Sequence, residues 1–415
     1  NTEEVKKILG QKQDKPLVLD NVKIFVSKKG KVTIASSSSL GSLTSSSSII
    51  PHNANLFIPG LPLYDMFKAL IAQQVRANIA LPFDENIATY RFIKGSSYLI
   101  QINPNRHPNI RGKLKSGRRG ACFLCAENQP KGERGIILDE NWTVYPNPSP
   151  YEKTHVVIIR NKTFTYDPHQ QFIQSKEEIM VALKLLWMAA VESESLPPQE
   201  TLTALARKLL SFLKFLKSKR IPYVVLFTVQ DYIRRRPYNI TFNGKGAANS
   251  SDHFHFQGFE VSMPIERKPR KLLYRNRDII ISRVINYSAL VYTLEDRLFR
   301  IFVYPRDVEA PGAVVMPKDK EIKRIKFGIC EMSGIIIVYN PKTAERLNNK
   351  RKINQMLKVA SAYKRQGVIE KNLSSSPITI KPPLDSFISK LSLKPFDLIH
   401  AKSLLNKFIK LRTKT

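Results

Sequence analysis

Asn249-Ser-Ser-Asp-His-Phe-His-Phe-Gln257, directly after a glycine-containing turn at Asn243-Gly-Lys-Gly246, is the stretch on which the fold turns. Two histidines alternate with phenylalanines, and a glutamine continues the alternation. Successive side chains of a β-strand point to opposite faces. His253, His255 and Gln257 therefore share one face and Phe254 and Phe256 the other. The phenylalanines read as core. Three nitrogen-bearing side chains in a row do not, because a buried polar group is costly unless it is hydrogen-bonded. That face suits a phosphate, a metal, or both. An imidazole can attack phosphorus and split one hard displacement into two easier ones. It must be neutral to do so, and Asp252 or a backbone carbonyl could fix its tautomer. An amide both donates and accepts, so Gln257 can hold a non-bridging phosphate oxygen without supplying a proton.

Cys122-Phe-Leu-Cys125 is either half of a zinc site or a redox pair. No thioredoxin-like βαβ pattern surrounds it, which disfavours the redox reading. Zinc needs two further ligands, and the chain has seven histidines. His253 is available if His255 is the nucleophile, and His169 and His155 compete for the fourth place. The third cysteine, Cys330, reads as a small buried hydrophobe. An odd cysteine count in a long chain argues against a disulfide framework and for a reducing intracellular compartment, cytoplasmic or organellar.

The pattern around the histidines is mixed. Leu63 to Ala80 has apolar residues at helical spacing. Ser175 with Glu178 is a capping box opening a second helix, and Pro198 opens a third that runs to Lys219. Strands are expected at Tyr98–Asn103, Trp142–Tyr145, His155–Ile159, Tyr223–Thr228 and Tyr238–Phe242. Hairpins on one side of helices indicate an α+β domain with an antiparallel sheet. Residues 266–373 carry further strands (Asp278–Ile285, Leu298–Tyr304, Gly334–Tyr339) and a helix from Thr343. The expected organisation is a flexible, serine-rich, basic arm over 1–57, a catalytic domain over 58–265, a smaller α+β region over 266–373, and a basic tail over 374–415.

The 415 residues carry a net charge of +33, from 67 Lys and Arg against 34 Asp and Glu. That surplus attracts polyanions, so RNA is a candidate partner through a basic surface. With 42% hydrophobic and 24% charged residues the composition is globular. No apolar run approaches the roughly 18 residues of a membrane-spanning helix. The first residue is Asn, consistent with a processed or truncated start.

Cys122-Phe-Leu-Cys-Ala-Glu-Asn128, the strand with His155, Asp167-Pro-His169 and Gly246-Ala-Ala-Asn-Ser-Ser-Asp-His-Phe-His-Phe-Gln257 occur in that order. Together they resemble the galactose-1-phosphate uridylyltransferase branch of the histidine-triad superfamily. Within it the similarity is to the GDP-L-galactose phosphorylases, with diadenosine tetraphosphate phosphorylase further off. Ile100-Gln-Ile-Asn-Pro-Asn-Arg-His107 and Cys330-Glu-Met-Ser-Gly334 extend the likeness, which spans roughly residues 60–350. The resemblance implies a histidine-triad-like antiparallel sheet with helices packed on it, followed by a second, smaller region of the same type. It implies that His255 attacks the α-phosphate of a nucleotide or nucleotide-sugar donor and that Gln257 stabilises the nucleotidyl-histidine. It implies a structural zinc on Cys122, Cys125, His169 and His253. Arg106, Lys245, Asn249, Ser251, Glu331 and Arg306 are the candidate substrate contacts. The alternative is the same fold recruited as an RNA-binding structural protein, for instance in an organellar ribosome.

Overall fold

The computed structural model describes residues 62–84, 88–106, 122, 124–125, 128–129, 132–139, 141–161, 167–193, 195–245, 253–307 and 327–374, and four short strands before residue 57. The predicted basic tail, Asn249 and Ser251, and the basic loop over 111–119 lie outside these residues. So does most of the predicted N-terminal arm.

The architecture is α+β. Among the described residues eleven strands form one sheet, built around β10 (Tyr223–Val229), β11 (Tyr238–Asn243) and β12 (His255–Glu260). One flank continues through β9 (Val156–Arg160), β8 (Trp142–Pro146) and β7 (Gly135–Asp139) to β4 (Ala54–Leu56). The other runs through β16 (Phe299–Pro305), β15 (Tyr292–Glu295) and β14 (Ile280–Val284) to β13 (Arg270–Arg275). Every neighbouring pair is antiparallel except β4 with β7. The sheet therefore crosses the position 265/266 without a break. A smaller sheet joins β17 (Ile335–Val338), β6 (Leu99–Ile102) and β5 (Thr89–Phe92), with β17 parallel to β6. In the N-terminal stretch β1 (Leu17–Leu19), β2 (Val22–Val26) and β3 (Val32–Ser36) pair antiparallel.

Three helices cover one face of the large sheet: α1 (Leu63–Arg76), α2 (Lys176–Ala190) and α3 (Gln199–Ser218). Their apolar stripes meet Val225 and Phe227, Ile240 and Phe242, and Phe254 and Phe256 in one core. The alternate residues Val224, Leu226, Phe259 and Phe302 face the opposite side. There they pack with Ile100 and Ile102 of β6 and with Ile335 and Ile336 of β17. The small sheet thus forms a second layer over the face that carries the polar residues of β12. The Ser175 capping box is formed: Glu178 N–H donates to Ser175 Oγ at 3.3 Å, and Ser175 N–H donates to Glu178 Oε2 at 3.2 Å.

Gly258 of β12 is required by close approach. A Cβ there would stand 2.5 Å from Tyr238 Oη and 3.1 Å from Val156 Cγ2. The second of two glycine positions that matter is Gly334, at φ +104°, where the chain leaves the helical turn α4 (Ile329–Met332) for β17. The remaining helices, α5 (Pro341–Leu347), α6 (Lys350–Ala360) and α7 (Gln366–Ser374), close the second region.

Candidate functional site

Phe254 and Phe256 are fully buried in the helix-covered core, and burying each contributes roughly 1.5–3 kcal/mol. That fixes which way β12 faces. His255 and Gln257 point to the other side, and His253 precedes the strand at a bend. The register places His255 opposite Ile159 and Gln257 opposite Val157 on β9. Val157 and Ile159 pack against Leu124, so the Cys122/Cys125 segment lies over this same face.

The ligand atoms of Cys122, Cys125, His169 and His253 all lie within 4.8 Å of one another. His253 Nδ1 is 3.6 Å from Cys122 Sγ and 3.5 Å from Cys125 Sγ, and His169 Nε2 is 3.3 Å from Cys125 Sγ. A tetrahedral zinc with bonds of about 2.3 Å to sulfur and about 2.0 Å to nitrogen sets neighbouring ligand atoms about 3.5 Å apart. Two thiols and two imidazoles at this spacing are a donor set that zinc fits. The other nitrogen of His253, Nε2, lies 2.9 Å from the carbonyl of Arg160 and donates to it, which turns Nδ1 to the cysteines. Arg160 is held in turn by its ion pair with Glu178 of the capping box. Phe254 N–H donates to Pro168 O at 2.6 Å, tying the segment of His169 to the histidine strand.

His255 is differently placed. Its Nδ1 lies 2.8 Å from the carbonyl of His253. A carbonyl only accepts, so Nδ1 carries the hydrogen and Nε2 keeps its lone pair. Burial pushes the imidazole down to about 4, so the ring is neutral at ordinary pH. Of the two tautomer-fixing partners the sequence offers, the structure supplies the backbone carbonyl.

His155 joins this end of the site. Tyr151 N–H donates to His155 Nδ1 at 3.4 Å, and His155 Nε2 lies 3.0 Å from Gln257 Oε1 and 3.1 Å from Asn147 Nδ2. Tyr151 Oη donates to the same oxygen at 3.5 Å. The Gln257 carbonyl is thereby held, and its amide nitrogen is turned to donate. Burial, with Arg106 nearby, keeps the His155 imidazole well below its usual range, and hence neutral. Arg106, at the end of the turn Pro104–Arg106, lies 5.3 Å above the Tyr151 ring and donates to Ser149 O at 2.6 Å.

The other sequence candidates divide. Glu331 lies on the helical turn α4, where Gly328 N–H donates to its Oε2 at 2.9 Å. Burial pushes its carboxyl up to about 7, and Arg106 acts against that shift. The turn is pinned from several sides: Ile329 N–H donates to Asn243 Oδ1 at 3.1 Å, and Tyr287 Oη donates to Met332 O at 2.8 Å. Arg306 is 1% exposed, and its guanidinium donates to Ala360 O and Phe327 O, tying together the chain that leads into α4. Lys245 is exposed, and its backbone N–H donates to Gln171 O at 3.0 Å. Sequence reasoning missed His155 as the partner of Gln257. Its signal was a histidine opening an otherwise apolar strand.

Residues 84–187 match the family model described as "Domain of unknown function (DUF4922)". That stretch contains Arg106, Cys122, Cys125, His155 and His169 but stops short of the histidine strand. No curated protein matches the chain. Among solved structures, yeast Ap4A phosphorylase Apa2 is similar at 9% identity and a TM-score of 0.41, over 72% of this chain and 94% of that one. The same enzyme in complex with AMP gives 10% and 0.40 over 72% and 96%, and in complex with Ap4A 10% and 0.41 over 72% and 97%. A likeness at that level assigns no chemistry to this chain.

Proposed function

We propose that the protein is a nucleotidyltransferase of the phosphorylase kind. His255 takes a nucleotidyl group from a nucleotide sugar or dinucleotide and passes it to phosphate or a sugar phosphate. The observation that carries this reading is the hydrogen bond from His255 Nδ1 to the His253 carbonyl, at 2.8 Å. It leaves Nε2 as a neutral nucleophile on a buried strand beside a Gln257 amide that is held in one orientation.

In the first step the Nε2 lone pair bonds to the α-phosphorus, and the bond from that phosphorus to the leaving phosphate oxygen breaks. The electron pair departs with a phosphate, so no strong general acid is required. The Gln257 N–H holds a non-bridging oxygen as charge develops on it. In the second step an acceptor oxygen attacks the same phosphorus and the electron pair of the P–N bond returns to Nε2. Cys122, Cys125, His169 and His253 would hold a zinc whose four protein ligands leave no open position, which makes its role structural. The motif resemblance to the histidine-triad transferases supports the same assignment. The RNA-binding alternative rests on the net charge of +33 and on the expected N-terminal arm and basic tail.

Two half-reactions through one carrier predict ping-pong kinetics. With a panel of nucleotide sugars and dinucleoside polyphosphates, cleavage should depend on added phosphate or sugar phosphate and give parallel double-reciprocal lines. Intersecting lines, or no cleavage of any donor, would overturn the proposal.

A further inference from the structure

Six arginines of the described residues that are half-buried or buried are paired with carboxylates. Arg160 has Glu178, Arg234 has Glu266, Arg236 has Glu192, Arg283 has Glu370, and Arg270 and Arg300 share Glu295. Arg106 is half-buried as well, yet no carboxylate stands within ion-pair distance of it among the described residues. A cation withdrawn partly from water without a counter-ion is unfavourable unless an anion arrives.

The side chain is also built into place. Arg106 N–H donates to Asn103 O at 3.1 Å, and Asn103 is buried with its own N–H donating to Val338 O at 2.7 Å. One guanidinium N–H is used on Ser149 O, and the plane sits over Tyr151, whose hydroxyl reaches Gln257. The remaining donors of the fork suit an oxyanion bidentately. The carboxyl within electrostatic reach, Glu331, is itself buried and pushed up to about 7, so it is a poor permanent partner.

Resting on the nucleotidyl-transfer reading, we propose that Arg106 binds the acceptor as a phosphate dianion, inorganic or esterified, and so commits the site to phosphorolysis over hydrolysis. A phosphate oxygen forms the new bond to the α-phosphorus, the bond from that phosphorus to His255 Nε2 breaks, and its electron pair stays on nitrogen. No proton moves, because the attacking oxygen is already anionic. With inorganic phosphate the product is a nucleoside diphosphate. Water attacking the same centre would yield the monophosphate, and an uncharged water gains nothing from the guanidinium.

The test has two arms. Equilibrium dialysis of the full chain against radiolabelled inorganic phosphate, without donor, should show saturable binding. Arg106→Ala should weaken that binding roughly 10- to 100-fold, the range for loss of a charge-assisted hydrogen bond. Arg106→Lys should recover part of it, and Arg91→Ala, the same charge change at an exposed strand position, should leave it unchanged. In turnover, Arg106→Ala should raise the KM for phosphate by a similar factor and shift product from diphosphate towards monophosphate. Binding and KM unchanged in a folded Arg106→Ala variant would overturn the assignment, as would an equal loss in Arg91→Ala. Failure of the wild type to form any covalent nucleotidyl adduct would overturn the transfer reading instead, while dialysis still decides the role of Arg106.

Discussion

The two ends of the polar face of β12 are built on different principles. At the His253 end four ligand atoms from three chain segments converge, and their neighbours serve to aim them: Arg160 O on His253, Pro168 O on the strand itself. At the Gln257 end each group is fixed by a contact to one of its polar atoms. His155 and Tyr151 occupy the Gln257 carbonyl, and the His253 carbonyl occupies one nitrogen of His255. One end is closed on itself, and the other holds nitrogen atoms in fixed directions that are unspent among the described residues. Closure suits stability, and fixed unspent groups suit chemistry on a molecule that arrives.

If that division holds, substitutions at the two ends should separate in their effects. The largest effect belongs to Cys125→Ser. Metal-binding free energy at a structural site is folding free energy, on the order of 10 kcal/mol in zinc-finger peptides. The variant should lose stoichiometric zinc and several kcal/mol of stability, read by metal analysis and thermal unfolding. Unchanged zinc and an unchanged Tm would remove the closed end of the comparison. Gln257→Ala should do the opposite. Zinc content and Tm should stay near wild type while the rate of nucleotidyl transfer falls about 10²- to 10³-fold, as when an oxyanion donor is lost. A loss of a few-fold only would mean that the amide does not act on the phosphate.

Glu331 sharpens the comparison through pH. Burial pushes its carboxyl from 4.5 up to about 7, so between those values the folded protein keeps a proton that the unfolded chain has released. The stability associated with that proton is present below pH 4.5 and is lost as pH rises through 7. Glu331→Gln should therefore gain on the wild type between pH 5 and pH 8, by up to roughly 3 kcal/mol at about 1.4 kcal/mol per pKa unit. Denaturant unfolding at the two pH values reads this directly. An identical stability difference at both would show that the carboxyl is not desolvated.

What could be read from the sequence was local. The Ser175/Glu178 cap, the apolar stripes of the three helices and the alternation through Phe254 and Phe256 each depend on residues a few positions apart, and each lies where it was expected. The strands at Arg270–Arg275 and Tyr292–Glu295 were not legible. The first is half charged and partly exposed, and the second is short and buried on both faces, so neither alternates. Nor could the sequence show that these strands extend the same sheet as the histidine strand, because strand neighbours are set by non-local pairing. The same reason hid His155, which meets Gln257 only through the β9–β12 register. Arg306 reads as a candidate substrate contact, and only the fold shows it buried with two of its donors on carbonyls. Cys122 and Cys125 were legible as a pair. Their grouping with His169 and His253 came from the motif resemblance rather than from spacing, and the fold brings the four together.

The central claim is that His255 carries the nucleotidyl group. A donor labelled at the α-phosphate, mixed with the protein without acceptor, quenched in alkali and mapped by peptide mass spectrometry, tests it most directly. The account predicts a phosphoramidate on the peptide containing His255. It should form at the rate of the first half-reaction, be discharged by phosphate and be absent in His255→Ala. Label on another residue, or full turnover in His255→Ala, would contradict it.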